Sequence, residues 1–272
     1  MSSTSNSVNF VLCTFNSDAF SAGRNILNFF KKKSIKINLI VISNSSNSNK
    51  SYSDDFFLIQ GSNSCLDISA YYEALVFISN KRLESNFTIV CNDNLFFKHD
   101  WRFSIESILT YKNVSMELSG SVVVGYRSFY SSICLTNPWS NSPSFLPTYF
   151  FALNESGISF FKMLYEESIQ KCVSMDDYDY LFDKKLVPQN LNFLIWAHLQ
   201  NHNSPISWHG LSKYSLSNNL VKKKMNCVFF EHYLVGNFGL KGAVIYLNTS
   251  RRYILKQIIK DFIYKTIFYF FK

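Results

Sequence analysis

The chain has 272 residues, with 27 Lys and Arg against 19 Asp and Glu, and 47% of it is hydrophobic. That apolar content excludes wholesale disorder and is enough for a full core. The formal charge of +8 is uneven, because residues 251–272 carry Arg251, Arg252, Lys256, Lys260, Lys265 and Lys272 against Asp261 alone; the nearly balanced remainder argues against a nucleic-acid partner.

In chain order, residues 8–14 (VNFVLCT) read as a buried strand that ends in the polar stretch Phe15-Asn16-Ser17-Asp18. Residues 19–32 carry Phe20, Ile26, Leu27 and Phe30 near helical spacing and end in Lys31-Lys32-Lys33, suited to a helix C-terminus. A second strand over 35–43 breaks into an Asn/Ser loop, and 56–60 is a short third strand. Residues 67–81 predict a helix with Ile68, Tyr71, Tyr72, Leu75 and Ile78 on one face and Asp67 at its start as cap. Residues 87–91 (FTIVC) are a fourth buried strand. Beyond it we expect a helix over 99–110, a strand over 121–126, a Pro-rich loop over 135–147, a strand or turn at 149–154 and helices over 156–170 and 191–200. Residues 201–250 read as mixed, with a hairpin around Gly236–Gly242.

The first ninety residues follow the grammar of an α/β open sheet with mainly parallel strands. Ligands bind such sheets at the carboxyl ends of the strands. Here those ends are 14–18, 43–49, 60–64 and 92–94, all polar and rich in Asn, Ser and Asp. The six cysteines are scattered without zinc spacing, mostly in apolar runs, and fit reduced thiols in a cytoplasmic protein. The N-terminus lacks the pattern of a secretory signal, and no window reaches the length of a spanning helix. No phosphate-binding GxxxxGK[ST] loop and no GxGxxG fingerprint occurs.

The most informative run is 60–97, where a Gly61-Ser62-Asn63 turn opens a helix and an apolar strand then ends in Cys91-Asn92-Asp93-Asn94. This run resembles the GT-A nucleotide-sugar glycosyltransferases, especially bacterial enzymes of surface-polysaccharide synthesis. The order of elements extends the resemblance over roughly residues 8–130. It implies a GT-A-like open mixed sheet with a Rossmann-like N-terminal half, flanked by helices. Residues 1–130 would bind the nucleotide-sugar donor, 131–250 would face a glycan or lipid-linked acceptor, and 251–272 would form a C-terminal amphipathic helix.

By the same resemblance Asp93 is the last acid of a DxD-like motif and would hold a divalent cation, Mn²⁺ or Mg²⁺, against the diphosphate. The first acid of the motif is absent, since Cys91 or Asn92 stands in its place. Asn92-Asp93-Asn94 also reads as an ordinary turn. Gly61 would let backbone approach the donor, and Asn63 would offer an amide to sugar or ribose hydroxyls; a capped strand–helix turn is the plainer reading of both. Thr14 and Asn16 would lie by the nucleotide base, with Ser43 and Asn44 nearby.

A transferase that inverts the anomeric centre needs a base for the acceptor hydroxyl. The family's habit points to Asp176 or Asp177 in the acidic run 175–179, although a helix N-terminus capped by Ser174 is the somewhat more ordinary reading of those acids. Trp139, Tyr149 and Phe150 suit either an acceptor platform or the core. Lys222-Lys223-Lys224 reads as a solvated face, and Glu231-His232 as buried or catalytic.

The last segment, 253–271, places Ile254, Leu255, Ile258, Ile259, Phe262 and Ile263 on one stripe, with Lys256, Lys260 and Asp261 opposite. A basic amphipathic helix of this kind suits an anionic membrane surface, here the inner face of the plasma membrane, or docks on the body of its own domain. The expectation is therefore a cytoplasmic, membrane-peripheral glycosyltransferase. A non-catalytic protein keeping a GT-A-like fold is the alternative.

Overall fold

A computed structural model describes residues 7–15, 18–44, 55–83, 85–98, 100–129, 136–172, 187, 191–192, 195 and 218–247. The chain opens with β1 (Ser7–Thr14), α1 (Ala19–Lys32), β2 (Lys36–Ser43), β3 (Phe57–Gln60), α2 (Leu66–Lys81) and β4 (Phe87–Asn92). Three short helices follow, α3 (Asn94–Lys98), α4 (Trp101–Leu109) and α5 (Lys112–Glu117). Then come β5 (Val122–Gly125), β6 (Ser128–Phe129), β7 (Ser144–Phe145), β8 (Phe150–Asn154), α6 (Glu155–Cys172), α7 (Asn218–Lys241) and β9 (Ala243–Tyr246).

Seven strands form one mixed sheet in the order β3-β2-β1-β4-β8-β5-β9, while β6 and β7 form a separate antiparallel ribbon. β1 lies between β2 and β4, parallel to both. Only β8 of the seven runs against its neighbours, β4 and β5, and β9 is parallel to β5. Every residue of β1 and β4 is buried, as strands covered on both faces require; the polar exceptions within them, Asn9 and Thr88, satisfy each other, with Asn9 Nδ2 donating to Thr88 Oγ1 at 3.4 Å.

Alternation along the strands divides the core in two. Val11, Cys13, Ile40, Ile42, Val90, Phe151 and Leu153 pack under α2, α6 and α7. Phe10, Leu12, Leu39, Val41, Ile89 and Val124 pack under α1 and α4. The layering is helix, sheet, helix, as an α/β domain demands. Aromatic rings join the first layer: Phe151 packs edge-on against Tyr71 at 5.7 Å and stacks on Phe161 at 5.9 Å, and Phe161 meets Phe230 at 5.2 Å.

Caps fix the helix ends. The Asp18 carboxylate accepts from the Phe20 N–H at 3.0 Å to start α1, and Asp100 caps α4 through the Phe103 N–H. α2 stops at Arg82, which is in the left-handed region with φ 50°. Asn154 caps α6 by accepting from the Gly157 N–H at 2.8 Å.

The expected hairpin around Gly236–Gly242 is instead the end of α7 and the turn into β9. Its glycines serve packing, not a turn in a hairpin. A Cβ on Gly236 would lie 2.3 Å from Asn137 Oδ1 and 3.0 Å from Trp139 Cβ, so the loop at 137–140 lies directly on the helix backbone. The acidic run with Asp176 and Asp177, the Asn16 position and the expected tail helix over 251–272 lie outside the described residues. Among the described residues no helix is long and apolar enough to cross a membrane.

Candidate functional site

Leaving β1, the chain passes through α1 to β2 on one side; leaving β3, it passes through α2 back to β4 on the other side. The crevice beyond the carboxyl ends of β1 and β4 is therefore a topological switch point, where open α/β sheets bind ligands. Register pairs Thr14 with Ser43, Ser43 with Gln60, and Cys13 with Asn92. The ladder runs past the strand ends, with Asn44 N–H on Thr14 O, Gly61 N–H on Ser43 O and Asp93 N–H on Cys13 O at 2.9 to 3.0 Å. Thr14, Ser43, Asn44, Gly61, Asn63, Asn92 and Asp93 are brought to one end of the sheet.

These polar groups are buried, with Thr14, Ser43, Asn44, Asn92 and Asp93 each no more than 8% exposed. Three of the residues carry a buried oxygen with no hydrogen-bond partner among the described residues: Thr14 Oγ1, Asn44 Oδ1 and Asn63 Oδ1. Tyr71 and Asn226 carry two more, the Tyr71 hydroxyl and Asn226 Oδ1. Orphaned buried polar atoms are rare in folded proteins, and three of these five belong to residues at the strand ends.

Gly61 does something other than expected. A Cβ there would lie 2.0 Å from Asn44 Oδ1, so the space its missing side chain leaves is taken by the Asn44 amide rather than kept for a ligand. That amide is oriented by its Nδ2, which donates to Leu66 O at 3.0 Å. Asn63 sits in the left-handed region at φ 52°, and its carbonyl accepts from Lys223 Nζ at 2.6 Å. Beside it Glu73 binds both the N–H and the hydroxyl of Ser62, which fixes the turn.

The strand-end motif is both a turn and part of the site. Asn92 Oδ1 accepts from the Asn94 N–H at 3.1 Å, while its Nδ2 donates to Asp67 Oδ2 at 2.8 Å. Asp93 Oδ2 accepts from the Phe15 N–H at 2.9 Å and so ties β4 to the loop after β1. Cys91 does not stand in for the missing acid: it faces the α1 and α4 core, and burial pushes its thiol well above the usual range, so it stays neutral. Among the described residues no group of three or more His, Cys, Asp and Glu side chains is arranged to hold a metal.

Asp67 is not the cap of α2. The cap position belongs to Cys65, and Asp67 lies in the first turn, where its carboxylate serves Asn92. A second contribution comes from α7, whose Lys224, Cys227 and Glu231 share a face by helical spacing. Cys227 Sγ lies 3.1 Å from Cys65 O, 3.7 Å from Asp67 Oδ1 and 3.8 Å from Cys65 Sγ. Burial disfavours the Lys224 ammonium, but Asp67, and after it Cys227 and Glu231, more than offset this and raise its pKa. Glu231 Oε1 accepts from the Thr148 N–H at 3.0 Å. Burial pushes its carboxyl up to about 7, against the opposing pull of Lys224 and the Thr148 hydrogen bond.

The reading of Lys222–Lys224 as a solvated face is thus corrected, since all three are half-buried and Lys223 and Lys224 face the site. The sequence signal for this arrangement was the spacing of Lys224, Cys227 and Glu231, hidden by reading 201–250 as mixed. Phe150 is fully buried in the core, and Trp139 packs against Phe229 and Tyr233, so both serve packing. His232 is buried with its ring against Phe145. No protein-family model and no curated protein matches the chain.

Proposed function

We propose that the protein is a glycosyltransferase that moves a sugar from a nucleotide donor to a glycan or lipid-linked acceptor in surface-polysaccharide synthesis. One observation carries this reading: the buried oxygens of Thr14, Asn44 and Asn63 without a hydrogen-bond partner lie at the same carboxyl end of the α/β sheet as Asp93. A nucleoside diphosphate brings ribose hydroxyls and base N–H groups that such acceptors satisfy. The open mixed sheet with its Rossmann-like first half agrees with the GT-A resemblance.

A single carboxylate is a sufficient protein anchor for Mg²⁺, which is commonly held by one or two carboxylates with phosphates and water completing its shell. In this reading Asp93 would anchor such a cation alone, since among the described residues no group of three or more His, Cys, Asp and Glu side chains gathers there. When bound, Mn²⁺ or Mg²⁺ offsets the charge that develops on the leaving diphosphate. The chain's own residues do the rest: Asn92 and Phe15 hold the Asp93 loop, Thr14 and Asn63 meet the donor, Asn44 packs the Gly61 turn beside them, and Lys223 steadies the Asn63 turn. The basic tail over 251–272 would hold the protein on the anionic inner face of the plasma membrane.

The non-catalytic alternative is favoured by a specific contact, because the Asp93 carboxylate already serves the Phe15 N–H. Calorimetric titration with UDP, GDP and CMP, with and without Mn²⁺, separates the two. We expect metal-strengthened binding of one nucleotide, weakened at least about tenfold in Asp93→Ala, or about 1.4 kcal/mol. If no nucleotide binds under either condition, the transferase reading falls.

A further inference from the structure

We infer that Glu231 accepts the proton of the acceptor hydroxyl, with Lys224 as the positioning charge beside it. The inference rests on the transferase reading above and deepens it by assigning the acceptor side of the same site.

Two short routes bring Glu231 to the switch point. Its Oε1 is held by the Thr148 N–H at 3.0 Å, and the next residue, Tyr149, accepts through its carbonyl from the Asn92 N–H at 3.1 Å. On the other side Cys227, one turn before Glu231 on α7, lies 3.7 Å from Asp67, which binds the Asn92 amide at 2.8 Å. Glu231 is therefore next to the strand end that carries Asp93 and is reached from the chain entering β8. The groups facing it are Lys224 from its own helix, Asp67 from the first turn of α2, and the Thr148 N–H from the loop before β8. Lys224 is the cation of that set, and removing it would leave Asp67 and Glu231 facing each other without compensation.

A carboxylate that titrates near neutrality suits general-base work, and burial supplies that shift here. In the step itself, an acceptor oxygen lone pair forms the bond to the anomeric carbon. The carbon–oxygen bond to phosphate breaks, and its electron pair leaves on the nucleoside diphosphate. The hydroxyl proton moves to Glu231 and then to solvent. A single displacement of this kind inverts the anomeric centre.

The test uses the full chain, with UDP-glucose, UDP-N-acetylglucosamine and GDP-mannose as donors, water as acceptor and nucleotide release as readout. We expect release to rise with pH through about 7 and to fall about 100-fold in Glu231→Gln, while calorimetric nucleotide affinity is unchanged. Azide, which has no proton to surrender, should restore release in Glu231→Gln as the inverted glycosyl azide. Lys224→Met should move the rising limb upward by about one pH unit. Unchanged release and limb in Glu231→Gln, no rescue by azide, or loss of release in Asp176→Asn/Asp177→Asn while Glu231→Gln keeps it would each overturn the assignment and leave the donor site standing. A wild-type chain that binds UDP or GDP but releases nucleotide from none of the three donors, with or without azide, also overturns it. A chain that binds no nucleotide overturns both readings.

Discussion

Gly61 and Asn44 compete for one volume, and the glycine exists so that the asparagine can win it. Adding a methyl group at Gly61 would force Asn44 Oδ1 away from a position 2.0 Å off and break its companion bond to Leu66 O. Gly61→Ala should therefore destabilise the fold by about 1–3 kcal/mol, the range for overpacking a tight site, as read by urea unfolding. Combining it with Asn44→Ser, whose shorter side chain vacates the space, should recover part of the loss. Unaltered stability in Gly61→Ala would mean that the two loops are not in contact. The turn was legible in the sequence because Gly and Asn punctuate strand ends, but its occupant was not, because residues 44 and 61 meet only through the pairing of β2 and β3.

At the scale of elements, the strands β1, β2 and β4 were legible to within a residue at each end, since their buried stretches are dominated by apolar and β-branched residues with only single polar interruptions at Asn9, Asn38 and Thr88. The direction of β8 was not legible, because an apolar run reads the same whichever way it lies. What holds β8 in its reversed course is Asn154 at its end. That amide accepts from the Val122 and Gly157 N–H groups at 2.9 and 2.8 Å and donates to Ser115 O and Gly120 O at 3.2 and 2.8 Å. Four partners satisfy its full capacity, in a residue 5% exposed. Asn154→Ala would orphan the buried N–H of Val122, and a loss of about 2–4 kcal/mol is expected in thermal or urea unfolding. α7 was hidden for the opposite reason: Gly236 and Gly239 look like turn residues, yet each is the flat spot on which the loop at 137–140 lies. With the helix misread, the face that presents Lys224 and Glu231 to the site was lost as well.

At the scale of the molecule, charge and site lie on different parts of the chain. Five of the eight net positive charges belong to residues 251–272, whereas the strand ends are polar and nearly neutral. A basic amphipathic tail predicts that the full chain floats with vesicles containing phosphatidylglycerol and that added salt weakens the binding. A chain ending at Ser250 should remain at the bottom of the gradient. Equal flotation of the two would remove the tail from the account of how the protein meets its acceptor.

The single reversed strand has a consequence for how such a protein can diversify. Because β8 runs against its neighbours, the chain leaving β5 and the chain entering β8 meet at the same end of the sheet as the connections after β1, β2, β3 and β4. The connection from β5 to β8 both starts and ends there, with 24 residues between Gly125 and Phe150, while at the opposite end α1 leads to β2 through 33–35 and α7 to β9 through the lone residue 242. Insertions are cheap where a loop is already long and its closure cost grows only slowly with length. Descendants of this chain can therefore lengthen or exchange the rim around the crevice while the sheet beneath keeps its register, so preference for a new acceptor could evolve without first unsettling the fold.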